Sequence, residues 1–211
     1  MSLSEHILDL FFPPKCVFCR NLLQKGEKDY CCSCALELPE NDNIRIIENA
    51  SFCRAPLRYS AIAKDAMIRY KFEGHISYAA PFARMMLHSL EGIDAEVLTF
   101  VPVSRRRLWE RGYDQTELLA KELSKISGLP LVKTLKKRHT GRQSEAGGPE
   151  ARRKNIKGAF SARSPELISG KKLLLLDDIC TTGATLSEAA QMLVRAGASK
   201  VSCIALMMTE E

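Results

Sequence analysis

The pattern of apolar and polar positions divides the chain into a polar, cysteine-rich beginning and a longer part in which short apolar runs alternate with helical stripes. Two runs predict buried parallel strands, Val97-Leu98-Thr99-Phe100-Val101 and Leu173-Leu174-Leu175-Leu176. The second stops at Asp177-Asp178. A Thr-Thr-Gly turn follows, then a helix from Leu186 to Ala196, with Leu186, Ala189, Ala190, Leu193 and Val194 on one face. After Gly197-Ala198, Val201 to Met208 predicts a last strand. Earlier, Ser51 to Tyr59 reads as extended, and Ser60 caps a helix ending near Arg69 to Gly74. Tyr78 to Leu90 predicts a helix with Ala83, Met86, Leu87 and Leu90 as its core stripe. Thr116 to Ile126 predicts another, burying Leu118, Leu119, Leu123 and Ile126 and closed by Gly128 and Pro130. Strands alternating with helices predict an α/β domain with a mainly parallel sheet flanked by helices. At the start, Ser2 and Glu5 fit a capping box for a short apolar helix that Pro13-Pro14 end.

Four cysteines change the picture of the polar beginning. Cys16-Val17-Phe18-Cys19 and Cys31-Cys32-Ser33-Cys34 are two C-x-x-C pairs, the spacing at which tetrahedral zinc takes thiolates. Cys16, Cys19, Cys31 and Cys34 are the expected ligands, with Cys32 as a substitute for Cys31. Four thiolates leave no open position, so the metal would be structural. About fifty residues cannot bury much core alone, and the metal would contribute the missing stability. The polar turn-rich stretch Pro39 to Asn49 marks the expected boundary, giving a zinc-ribbon-like module over residues 1–48 and a larger domain over 49–211.

Composition excludes more than it assigns. With 211 residues, 45% hydrophobic and 27% charged, the chain fits a globular protein. No apolar run approaches the roughly 18 residues of a membrane span, and no secretory signal opens it, so a cytoplasmic location is expected. The net charge of +6 is uneven: residues 105–157 hold 15 Lys and Arg against 6 Asp and Glu, and the rest of the chain 16 against 19. A local positive field of this kind attracts pyrophosphate groups or nucleic acid.

The stretch from Asp177 to Thr185 carries the chemistry. Ligands of open α/β sheets bind beyond the carboxyl ends of strands, and a helix start offers unpaired N–H groups and a positive dipole end to a phosphate. Thr181, Thr182 and Thr185 add hydroxyls, Gly183 lets backbone approach an anion, and Ala184 completes the turn. Two acids repel a phosphate but accept hydrogen bonds from sugar hydroxyls. One loop serving both predicts a phosphorylated ribose, with its hydroxyls on Asp177 and Asp178. After the earlier strand, Pro102-Val103-Ser104-Arg105-Arg106-Arg107 reads as a loop suited to pyrophosphate, and Lys71 is either a phosphate contact or an exposed lysine at a helix end.

The run Leu173 to Thr185 resembles the phosphoribosyl pyrophosphate (PRPP) motif of type I phosphoribosyltransferases. Pro102-x-Ser104, Arg111-Gly112-Tyr113-Asp114-Gln115, the segment Arg152 to Phe160 and the four-cysteine module resemble the ComF family of competence-associated phosphoribosyltransferase-like proteins. The resemblance implies a type I phosphoribosyltransferase-like fold and PRPP with Mg²⁺ bound by Pro102, Ser104, Arg105 and the Asp177–Thr185 loop, with Asp177 and Asp178 as the catalytic candidates. It also implies a flexible loop over roughly residues 136–154 that closes on the site, with Arg142 and Gln143 as residues of interest. Beyond this, it implies natural transformation, single-stranded DNA handling and a competence helicase as partner, with Arg111, Arg142, Gln143 and Arg152 as candidates to face the loop or the DNA. An accessory nucleic-acid-binding module with a vestigial or regulatory PRPP site, and an active nucleobase phosphoribosyltransferase of salvage, are the alternatives. The family usually has Asn where this chain has Asp114, which either weakens an anion site or caps a helix.

Overall fold

In a computed structural model the protein is described over residues 13–138 and 158–210. The expected helix that begins at Ser2 and ends before Pro13-Pro14, Arg142, Gln143, Arg152 and most of the expected closing loop lie outside those residues.

The larger sheet carries the strands β1 (Ile44–Arg45), β2 (Cys53–Arg54), β3 (Leu57–Arg58), β4 (Val97–Phe100), β7 (Lys172–Cys180) and β8 (Lys200–Met208). Its order is β1-β2-β8-β7-β4, with β3 also on β8. All its pairings are parallel except β1 on β2. Strands β5 (Leu135–Lys137) and β6 (Phe160–Ala162) form a separate antiparallel pair. The helices are α1 (Cys32–Leu36), α2 (Ala61–Phe72), α3 (Ala79–Met86), α4 (Arg105–Arg111), α5 (Gln115–Ser127) and α6 (Ala184–Arg195).

The tetra-leucine run sits at the centre because its side chains feed both faces. Leu174 and Leu176 pack with Tyr70, Phe82, Leu119 and Leu123 of α2, α3 and α5. Leu173 and Leu175 pack with Leu186, Ala189 and Leu193 of α6. Alternation on a strand and the 3.6-residue period on the helices produce this double burial. Cys16, Val17 and Phe18 join the first of these cores. Arg69 Nη2 donates to the carbonyls of Val17, at 3.0 Å, and Phe18, and Arg84 forms an ion pair with Asp29. Strand β1 lies before the boundary expected at residue 48 and pairs with β2 beyond it.

Several expectations are corrected. β7 runs on through both acids to Cys180, because β8 supplies it with a pairing partner as far as Met208. Arg105 to Arg111 is a helix and not a loop: Ser104 Oγ accepts the N–H of Arg107 at 3.3 Å, Arg106 pairs with Glu110 one turn on, and Gly112 ends it at φ +78°. The expected helix from Tyr78 to Leu90 is α3 between two 3₁₀ turns, Ile76–Tyr78 and Leu87–Leu90. The tighter period rotates Leu87 out to solvent while Ala83 and Met86 stay buried. Ile126 and Val194 also fall outside the buried faces of α5 and α6. Ser60 occupies the N-cap position of α2, but its side chain makes no cap bond.

Among the described residues, no helix is long and apolar enough to cross a membrane.

Candidate functional site

The carboxyl ends of β4 and β7 lie side by side. Phe100 pairs with Leu176, and Val101 N–H donates to the Leu176 carbonyl at 2.9 Å. Two segments more than seventy positions apart in sequence, Pro102–Ser104 and Asp177–Thr185, therefore meet at one edge of the sheet.

Asp114 secures the first of them. Its Oδ2 accepts the Val103 N–H at 3.0 Å, while Oδ1 accepts Thr116 N–H at 3.0 Å and Glu117 N–H at 3.1 Å. Asp114 is thus the N-cap of α5 and also a tie to the turn after β4. Burial raises its carboxyl, and these three N–H donors oppose the rise. Arg105 lies exposed at the first position of α4.

The two central acids are buried and differently placed. Asp178 receives Lys71 Nζ on Oδ1 at 2.8 Å and Gln115 Nε2 on Oδ2 at 2.7 Å. Burial pushes its carboxyl up, but the charge and hydrogen bond of Lys71, with the Gln115 donation, outweigh that and hold it below the usual range. Asp177 Oδ1 accepts the N–H of Asp178 at 2.8 Å. Burial, then the neighbouring charge of Asp178, push Asp177 well above the usual range, against the pull of that N–H, Lys71 and Lys137. The contacts of Lys71 and Gln115 thus favour the charged form at Asp178, while burial disfavours it at Asp177. Lys71 is not an exposed lysine: its side chain is largely buried and its ammonium lies on Asp178.

Beyond β7, Thr181 and Thr182 are exposed, Thr185 is partly so, and Gly183 is the N-cap of α6 at φ +74°. Thr182 Oγ1 accepts the N–H of Ala184 at 3.4 Å. Asp177 and Gly183 border a space of about 10 Å³ under this turn, which is about what one water needs. The segment after β1 packs against the inner side: Ile47 is buried against Gly183, and Asn49 Nδ2 lies 3.3 Å from Ser187 Oγ. Arg45 donates to the carbonyls of Thr209 at 2.7 Å and Cys180 at 3.4 Å. Nothing in the sequence points to Arg45 or Ile47, since their part is played by contacts more than a hundred residues away. Gln115 stands inside a recognisable motif, but its role depends on where α5 begins.

In the module, the sulfur atoms of Cys16, Cys19, Cys31 and Cys34 all lie within 4.8 Å of one another. This is a donor set that could hold a metal. Cys32 points elsewhere, exposed at the start of α1 with its N–H on Glu27 Oε1 at 2.7 Å. Burial raises the Cys16 thiol, but the N–H groups of Cys19, Cys31 and Phe18 outweigh it and bring it to about 7.

A family model described as a phosphoribosyl transferase domain matches residues 110–211. Competence protein F of Haemophilus influenzae is 26% identical over 225 residues, covering 90% of this chain and 95% of that protein. Competence protein ComFC of Streptococcus pneumoniae is 32% identical over 154 residues, covering 73% of this chain and 67% of that protein. DNA utilization protein YhgH of Escherichia coli K12 is 31% identical over 153 residues, covering 66% and 64%. Among solved structures, a glutamine PRPP amidotransferase from B. subtilis, complexed with ADP and GMP, aligns at TM-score 0.46 and 22% identity, covering 65% of this chain and 30% of that one. Adenine phosphoribosyltransferase from Thermoanaerobacter pseudethanolicus aligns at TM-score 0.42 and 17% identity, covering 65% and 70%.

Proposed function

The chain belongs to the ComF family, with a type I phosphoribosyltransferase domain, and from that premise we propose that it binds PRPP, or another ribose phosphate, where β7 passes into α6. The observation that supports this most directly is the Val101–Leu176 hydrogen bond, which joins the ends of β4 and β7. It brings the turn Pro102–Ser104 beside the acid pair and the threonine-rich turn. In this reading the 5′-phosphate lies on Thr181, Thr182 and the N–H groups from Gly183 to Thr185, at the positive end of α6. Asp177 and Asp178 take the ribose hydroxyls. Pro102, Ser104 and Arg105 face the pyrophosphate.

Among the described residues, Lys71 and Gln115 each donate to one oxygen of Asp178. Mg²⁺ would enter with the diphosphate of the ligand, and when bound it would offset charge on the leaving pyrophosphate. Cys16, Cys19, Cys31 and Cys34 would hold zinc, which would tie the two cysteine pairs together where they join the main core.

Thermal unfolding tests the reading. PRPP with Mg²⁺ should raise the melting temperature in proportion to the logarithm of its concentration. Asp177→Asn with Asp178→Asn should abolish the shift, and an unchanged shift would remove the carboxylates from the site. Release of pyrophosphate on addition of nucleobases would identify the active salvage enzyme; its absence would leave binding without turnover.

A second reading, single-stranded DNA handling in natural transformation, has its own support on α4. Trp109 is 87% exposed on a helix that also carries Arg105, Arg106, Arg107 and Arg111. A ring beside cations is how sequence-tolerant strand binding works. DNA affinity should fall steeply with salt and drop on Trp109→Ala. Negligible binding at low salt would remove this reading, and with it the expected helicase partnership on DNA.

A further inference from the structure

Two arginines of the larger domain hold the cysteine module. Arg69, in the last turn of α2, donates through Nη2 to the carbonyls of Val17, at 3.0 Å, and Phe18. Both residues lie inside the first C-x-x-C pair, between Cys16 and Cys19. Arg84, in α3, reaches Asp29, two positions before Cys31. Its Nε donates to Asp29 Oδ2 at 2.7 Å and its Nη2 to Oδ1. Such a bidentate pair is the strong form of a guanidinium–carboxylate contact. The Asp29 carbonyl in turn accepts the N–H of Val17 at 2.9 Å. One arginine thus holds the loop of the first pair, and the other holds the approach to the second.

The peptide groups that Arg69 touches are also those that face a sulfur. The amide between Val17 and Phe18 presents its C=O to Arg69 and its N–H to the Cys16 sulfur. The amide between Phe18 and Cys19 does the same. A trans peptide points its C=O and N–H in opposite directions, so each amide lies as an aligned dipole between a cation and a sulfur. The cation polarises both amides and strengthens the hydrogen bonds that their N–H groups give. Four thiolates around a divalent metal leave the centre negative, and this arrangement stabilises that charge from behind the ligands. Keeping a guanidinium here has a cost, because Arg69 Nε is buried without a hydrogen-bond partner among the described residues. An apolar side chain would fill the place without it.

We infer that Arg69 is a positioning residue of a metal centre formed by Cys16, Cys19, Cys31 and Cys34, and that Arg84 plays the same part through Asp29. This rests on the reading of the four cysteines as metal ligands. Both arginines act through other groups: Arg69 through two amides, Arg84 through the carboxylate that fixes the approach to Cys31. The module therefore does not make its metal site alone, since α2 and α3 build part of it.

The test uses the full chain, with zinc as one probe and cobalt(II), its coloured stand-in, as the other. Competition against a chelator of known affinity measures zinc binding, and cobalt absorption reports tetrahedral thiolate coordination. Arg69→Gln keeps a side-chain N–H and removes the charge. It should weaken zinc by about tenfold to a hundredfold, the usual effect of losing a partner behind the ligands, and should shift the sulfur-to-cobalt absorption band. Arg69→Lys should recover part of the affinity. Arg84→Gln should also weaken zinc, and it keeps the test valid if Arg69→Gln does not fold. Asp114→Ala removes contacts that lie outside the module, so it should lower the melting temperature without moving zinc affinity. If both arginine variants hold zinc as tightly as the parent, or weaken it no more than Asp114→Ala does, the inference is overturned and the four-cysteine site stands. If the parent protein takes up neither metal, the metal reading falls and takes the inference with it.

Discussion

Asp114 accepts the backbone N–H of Val103 at 3.0 Å while it caps α5 with its other oxygen. One partly buried carboxylate thus fixes the turn that follows β4 and the start of the helix that comes after it. The position favours an acid because all three of its partners are donors. An amide would turn its own NH₂ toward one of them. The charge at this position is a structural anchor, and its partners are backbone N–H groups of the protein.

Replacing it tests that role. Asp114→Ala should cost about 1–2 kcal/mol for the cap, a drop of roughly 2–4 °C for each kcal/mol in a chain of this size. Asp114→Asn should fall between the two proteins, keeping the cap through Oδ1 and losing the acceptor for Val103. Denaturant unfolding of the three proteins would show the order, and an Asn variant as stable as the parent would refute the anchor.

The acid pair predicts a pH signature. Asp177 is raised above its unfolded value near 3.9, so the folded state holds its proton longer than the unfolded state. That costs stability as pH rises from about 4 toward the raised folded value, and nothing below pH 4. Asp177→Asn keeps an oxygen for the Asp178 N–H and removes the cost. Its melting temperature should match the parent near pH 3 and exceed it at pH 7 to 8. Asp178 works in the opposite sense: its lowered value adds stability present above pH 4 and lost as pH falls through the folded value. Melting curves of both Asn variants across this range would separate the two.

The cysteine cluster predicts which thiols matter. Purified protein should hold about one zinc ion per chain. Cys34→Ser should lower both metal content and melting temperature, and a strong chelator should reproduce the loss. Cys32→Ser should change neither, because Cys32 stands outside the group of sulfurs. Metal analysis beside thermal unfolding would decide it.

Gly183 predicts a local strain. It combines φ +74° with Ile47 packed where a Cβ would go. Gly183→Ala should cost about 1–2 kcal/mol from the left-handed backbone alone, with an added clash that Ile47→Ala relieves. The double variant should therefore lose less than the sum of the single losses. Strict additivity in denaturant unfolding would show that the contact carries no energy.

What the residues determined alone is considerable, and local physics is the reason. The run of four leucines reads as a strand buried on both faces. The helices around Leu119 and Leu186 follow from the 3.6-residue period. Two C-x-x-C pairs single out by spacing alone the four cysteines whose sulfurs the fold gathers, and an acid pair followed by a Thr-Thr-Gly turn marks the end of a central strand. Tertiary structure decided what depends on distant partners. β7 continues through its acids because β8 lies beside it. The two acids differ in environment because Lys71, more than a hundred positions earlier, bonds only Asp178. Asp114 serves the chain itself because β4 ends next to α5. Sequence period reports which way a side chain faces along its own element, whereas the charge and the hydrogen-bond partner of a buried group are set by whatever the fold places opposite it.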